Sequence, residues 1–119
     1  MGKLTTHVLD TSLGRPGAGI VLDVLRINGE QREHIATATT NDDGRCDAPL
    51  VEGDALTAGE YEISFAVGAY LASTGVAAPA QGPRFLDNVV LRFGVSDASE
   101  HYHVPLLISP FAYSTYRGS

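Results

Sequence analysis

Hydrophobic residues recur at every second position along most of this chain. The clearest run sets Tyr61, Ile63, Phe65 and Val67 against Glu62, Ser64 and Ala66. A period of two lays alternate side chains on opposite faces of a strand, so the first set predicts a core-facing stripe. Val89, Leu91, Phe93 and Val95 repeat the pattern against Asn88, Val90, Arg92 and Gly94. Tyr102, Val104, Leu106 and Ile108 repeat it again, against His101, His103, Pro105 and Leu107. Residues 4–10 (LTTHVLD) are rich in strand formers and stop at a loop by composition, residues 11–17. Residues 19–27 are apolar at Ile20, Val21, Leu22, Val24, Leu25 and Ile27, which predicts a strand covered on both faces. Asn28-Gly29 signals a tight turn. A strand over residues 34–40 then runs into the turn Asn41-Asp42-Asp43-Gly44, and residues 111–117 form the last strand. Only residues 69–74 read as helix, one or two turns ended by Gly75, and residues 77–83 are a Pro/Gly/Ala loop. Roughly seven or eight short strands with turns between them predict an all-β, two-sheet antiparallel sandwich with one short helix.

Composition narrows this without changing it. The 119 residues suffice for one domain, residues 1–119, with no linker or repeat. Only 18% of residues are charged and 44% are hydrophobic, which excludes a disordered or coiled-coil chain. The net charge is −6, with eight Lys and Arg scattered along the sequence, so no nucleic-acid partner is expected. No apolar run approaches the ~20 residues of a membrane helix, and the N-terminus lacks a basic-then-apolar leader, so no membrane partner is expected. Met1, Gly2 and Thr6 fit the loose acylation pattern M-G-x-x-x-[ST], but the strand beginning at Leu4 is needed in the fold. The single cysteine, Cys46, rules out an internal disulfide and a C-x-x-C motif, and suggests a reducing, cytoplasmic setting.

Nucleophile-elbow, P-loop and H-E-x-x-H motifs are absent. Gly14, Gly17 and Gly19 lack dinucleotide-binding spacing and read as a surface loop. Histidine placement is more informative. His101 and His103 lie two apart and share the face opposite the core stripe, and His7 sits mid-strand near the other end of the chain. Three readings stand side by side: ordinary hydrogen-bonded surface residues, general acid–base groups, or three ligands to zinc. His34 beside a turn reads as surface, Arg45 as a turn residue, and Cys46 as a small packed residue with no activating base. An apolar strand running almost to Ser119 predicts a C-terminus tied to the fold, with the terminal carboxylate near Arg117 and available to a site.

These residues together match a family pattern. Residues 4–12 (LTTHVLDTS) followed by Gly14-Arg15-Pro16 resemble the N-terminal signature of the 5-hydroxyisourate hydrolases, the transthyretin-related proteins. Thr40-Asn41-Asp42-Asp43-Gly44-Arg45 resembles their internal turn. Residues 101–107 (HYHVPLL), Ser109-Pro110 and the closing Tyr116-Arg117-Gly118-Ser119 resemble their C-terminal signature. The resemblance implies a transthyretin-like sandwich that needs no cofactor and no metal. It implies assembly as a homotetramer, a dimer of dimers with sites at the dimer–dimer interface. The small-molecule substrate would be 5-hydroxyisourate, opened at a cyclic amide in urate breakdown to 2-oxo-4-hydroxy-4-carboxy-5-ureidoimidazoline. Carried over by position, the catalytic set is His7, Arg45 and His103. Substrate would be bound by His7, Arg45, Tyr116, Arg117 and Ser119, with His101 held in reserve. The chain departs from the family at Phe85-Leu86-Asp87 and the preceding residues 76–83, where an aromatic-proline step is usual. A transthyretin-like carrier of small ligands and a three-histidine zinc hydrolase are the competing expectations.

Overall fold

The alternating stripes become the two inner faces of a sandwich in the computed structural model, which describes residues Met1–Ser119. In chain order the strands are β1 (Lys3–Asp10), β2 (Arg15–Pro16), β3 (Val21–Asn28), β4 (Gln31–Thr39), β5 (Val51–Glu52), β6 (Gly59–Phe65), β7 (Val89–Val95), β8 (Tyr102–Ser109) and β9 (Ala112–Thr115). One helix, α1 (Val67–Thr74), follows β6. The first sheet has the order β2-β1-β8-β9, with β5 also on β1, and the second has the order β4-β3-β6-β7. Leu4, Val8, Leu106 and Ile108 from the first sheet meet Leu22, Val24, Tyr61, Ile63 and Phe65 from the second, all wholly buried. Burying side chains of this size is worth about 1.5–3 kcal/mol each, which makes this stripe the main source of stability.

The sandwich is as expected, with seven full strands and two of only two residues. It differs in one pairing: β1 and β8 run parallel, Leu4 beside Tyr102 through Asp10 beside Ile108. A parallel pair needs a long connection, and here nearly the whole chain supplies it. Strand β3 is not covered on both faces, since Val21 stands 44% exposed while Leu22 and Val24 are buried. Its hairpin with β4 turns at Gly29, whose φ of +65° suits glycine at the first central position. A register shift near Val24 leaves Ile35 without an opposite residue, a bulge that twists the pair.

Val67 is the first residue of α1 rather than the end of β6, though it remains wholly buried. Gly68 packs so tightly on Asp87 that a Cβ there would collide with it. The helix ends on Gly75 at φ +73°, as a left-handed cap requires. Arg84 donates to the carbonyls of Val76 and Leu71, which ties the irregular loop around residues 76–83 to α1. No helix is long and apolar enough to cross a membrane.

Two carboxylates are among the buried polar groups. Asp10, at the inner end of β1, accepts from Ser12 and Leu13 and from the Tyr70 hydroxyl at 2.7 Å. Burial alone would raise this carboxyl's pKa, but the Ser12, Tyr70 and Leu13 donors outweigh it and hold it below the ordinary aspartate value. Glu62, on the outward set of β6, is nevertheless only 4% exposed. Arg92 donates to it at 3.0 and 2.7 Å, and Arg32 lies 3.5 Å away.

Candidate active site

The outer face of the first sheet is where the sequence candidates gather. With Leu4, Thr6 and Val8 turned inward, Lys3, Thr5 and His7 must face outward from β1. The parallel register then sets Thr5 beside His103 and His7 beside Pro105. Thr5 Oγ1 lies 2.8 Å from Nδ1 of His103. The Nε2–H of His7 donates to the carbonyl of Asp43 at 2.9 Å.

The other edge of β1 is divided among three segments. β2 pairs at Leu9 and Asp10, β5 pairs at Lys3 and Leu4, and the gap between them admits Arg45, which bridges to His7. The turn before Arg45 is built by Asn41, whose side-chain oxygen accepts from the amides of Asp43 at 2.9 Å and Arg45 at 3.1 Å. Gly44 closes the turn at φ +77° and lies against the Val8 carbonyl, where any Cβ would clash. A short local motif therefore delivers a guanidinium to the histidine strand. That guanidinium has no hydrogen bond or ion pair within the chain, unlike those of Arg26, Arg92 and Arg117.

The C-terminal segment closes the opposite side. The Gly118 amide donates to the His103 carbonyl at 2.8 Å, and a Cβ on Gly118 would strike the His103 ring. Arg117 does not face the histidines. Its guanidinium lies 4.1 Å above the Tyr102 ring and donates to Glu100 at 2.9 Å and to the His101 carbonyl at 3.0 Å. Tyr116 is 61% exposed and outside the pocket.

The resulting pocket of about 400 Å³ is lined by Thr5, Arg45, Cys46, His101, His103 and Ser119, among others. So the chain brings Arg45, His103, His101 and Ser119 around one opening. His7 stands beside Arg45, and Tyr116 and Arg117 lie outside. A larger hollow of about 640 Å³ lies elsewhere, but its Arg26 is tied to Thr57, Tyr61 and the Ala58 carbonyl and it holds no histidine. Within the chain no three His, Cys, Asp or Glu side chains converge as a metal-binding group, and His7, His101 and His103 are not gathered into one.

Burial, the Arg45 cation and then His7 together hold the His103 imidazole below its ordinary pKa. It is therefore neutral at neutral pH and free to accept a proton. Burial, with Asp47 adding to it, pushes the Cys46 thiol up, which keeps it protonated and packed against the core. A neutral imidazole beside an unpaired guanidinium can activate water and stabilise the oxyanion that forms on a carbonyl. Thr5, Glu100 and Tyr102 were missed as site components. Thr5 shares the outward stripe with His7, but its neighbour His103 lies 98 residues away in sequence.

The two-sheet sandwich, with β1 and β8 parallel in one sheet, defines a transthyretin-like fold. Residues 4–118 match the HIUase/Transthyretin family model, and the chain belongs to that family. A 5-hydroxyisourate hydrolase of Ralstonia nicotianae is 59% identical over 119 residues, 100% of both chains. The solved structure of Klebsiella pneumoniae 5-hydroxyisourate hydrolase superposes with a TM-score of 0.80 at 34% identity, over 100% of each chain. Sea bream transthyretin, solved in complex with thyroxine, gives 0.85 at 27% identity, over 98% of this chain and 94% of that one. One fold thus serves proteins of both kinds, and the site must separate them.

Proposed function

We infer that this chain is an enzyme that hydrolyses 5-hydroxyisourate in urate degradation. The observation that carries the reading is the His103 imidazole sharing a small pocket with the unpaired Arg45 guanidinium. A carrier of apolar ligands needs neither group.

His103 takes a proton from water as that water attacks the ring amide carbonyl. Arg45 donates to the carbonyl oxygen, where negative charge develops, and its planar fork suits a flat heterocycle. The C–N bond then breaks and the ring nitrogen leaves with the proton that His103 held, giving 2-oxo-4-hydroxy-4-carboxy-5-ureidoimidazoline. His7, with its Nε2–H fixed on the Asp43 carbonyl, turns Nδ1 to orient the water. Ser119 contacts substrate from the wall of the pocket, and His101 shapes its rim. Arg117 contributes by holding the terminal segment. The steps use no metal or cofactor.

We further propose a homotetramer, a dimer of dimers with the β1–β8 outer face lining a cleft at the dimer–dimer interface and Tyr116 reaching that cleft. Supporting this, Phe111, Tyr113 and Tyr116 are 66%, 47% and 61% exposed and cluster on and beside the edge strand β9. A cytoplasmic location fits the free thiol. Freshly oxidised urate mixed with the purified protein tests the activity: 5-hydroxyisourate absorbance decays faster than its spontaneous rate. Equal rates with and without protein would leave only the binding function.

A further inference from the structure

We propose that Thr5 is a positioning residue for this hydrolysis: its hydroxyl accepts from Nδ1–H of His103 and leaves the Nε2 lone pair facing the pocket. The proposal rests on the reading that His103 is the base.

A neutral imidazole carries one N–H, and only its bare nitrogen can take a proton. His103 touches Thr5 through Nδ1 at 2.8 Å, while its Nε2 has no hydrogen-bond partner in the chain. Thr5 lines the same pocket and its hydroxyl has no other protein partner, so the contact is available to fix the ring and nothing competes for it. A hydroxyl can donate or accept, so the surrounding charge decides between the tautomers. Lys3, Arg45, Asp47, His101 and Ser119 line the pocket with His103, and His7 stands one register step along β1. The fixed charges balance, Lys3 and Arg45 against Asp47 and the Ser119 terminal carboxylate, and Arg45 is the one that acts most strongly on the ring. A lone pair turned toward Arg45 is favoured over an N–H dipole turned toward it. The N–H then belongs on Nδ1, against Thr5, and the threonine hydrogen turns to the pocket.

The strands make this contact rigid. Thr5 and His103 are opposite residues of the parallel β1–β8 ladder, and the flanking Leu4 and Leu106 are wholly buried. The adjacent Thr6 hydroxyl donates to the Val104 carbonyl at 2.7 Å, which locks the register that sets the ring. On its other side the ring is packed against Gly118. These contacts hold the ring against Thr5.

Nitrogen-15 spectra of histidine-labelled protein test this directly, in wild type, Thr5→Val and Thr5→Ser. Above its titration, wild-type His103 shows a protonated Nδ1 and a bare Nε2. Thr5→Val, nearly isosteric, shifts the ring toward the Nε2–H form. Its kcat falls about 10- to 100-fold, within the ~10²–10⁴-fold that a general base supplies, with KM little changed. Thr5→Ser restores both the tautomer and the rate. A wild-type ring protonated on Nε2 overturns the proposal, and so does a Thr5→Val protein with an unchanged ring and full kcat. Wild-type protein inert toward 5-hydroxyisourate defeats the hydrolase reading, and with it any role of Thr5 in that reaction, even where the spectra show the tautomer set by Thr5.

Discussion

The two outer faces of the sandwich carry similar residue types and use them in opposite ways. On the second sheet, His34 Nε2 lies 2.9 Å from Asp23, and Thr37 donates to the same carboxylate at 2.7 Å. Glu62 is held by Arg92 and Arg32. Every charged group named there has a partner of its own. On the first sheet the Arg45 guanidinium and the Nε2 of His103 have none, although both line a pocket. Polar groups that satisfy one another stabilise a surface or leave it neutral. Polar groups held in place without partners are poised for something from outside. The difference locates the chemistry better than a count of histidines does, since each face carries at least one.

The largest effects should separate the faces cleanly. His103→Ala, Arg45→Ala and His7→Ala are each expected to lose about 10²–10⁴ in kcat/KM, while His34→Ala and Asp23→Asn stay near wild type. An inactive His34→Ala with a sound fold would erase the contrast, and steady-state kinetics beside a thermal melt decides it. Deleting residues 116–119 should also remove nearly all turnover, because Gly118 packs against the His103 ring and Ser119 walls the pocket. Glu100→Gln should reproduce a smaller, severalfold part of that loss by loosening Arg117. A Glu100→Gln protein as fast as wild type would show that the latch is dispensable.

The pH dependence sharpens the contrast next. His103 has its pKa lowered by burial, Arg45 and His7, so activity is lost as pH falls through a value below the usual imidazole range of ~6.5. The sign for folding is the same. The unfolded chain takes up the proton first, so this residue makes stability decline as pH drops below its unfolded value. Replacing Arg45 by Gln should move the acid limb of the residual activity upward. An unmoved limb would remove Arg45 from the electrostatics of the base. The smallest expected effect lies on the other face. Arg92→Ala leaves Glu62 with only Arg32, costing about 1–3 kcal/mol in a denaturation curve with turnover unchanged.

Much of this was legible in the sequence because strand alternation is local. The stripe from Tyr61 to Phe65 and the stripe from Tyr102 to Ile108 both face the core as their spacing implies. The turn that delivers Arg45 was equally plain, since Asn41 and Gly44 are signals read over five residues. What alternation could not convey was pairing. Nothing local in residues 4–10 says that β8 lies beside them, or that it runs parallel, so the Thr5–His103 contact stayed hidden. Burial on an outward face was hidden too, because Glu62 is covered by arginines from other strands. Arg117 shows the same limit. The family signature marks it as part of a site, while the fold engages it with Glu100 and Tyr102, residues whose nearness to it depends on the path of β9.

The measurement that bears most directly on the central claim is the rate of 5-hydroxyisourate consumption by wild-type and His103→Ala protein, compared at neutral pH. Rapid consumption by wild type is expected, with a rate close to the spontaneous one for the folded variant. A His103→Ala protein that works nearly as fast as wild type would contradict it.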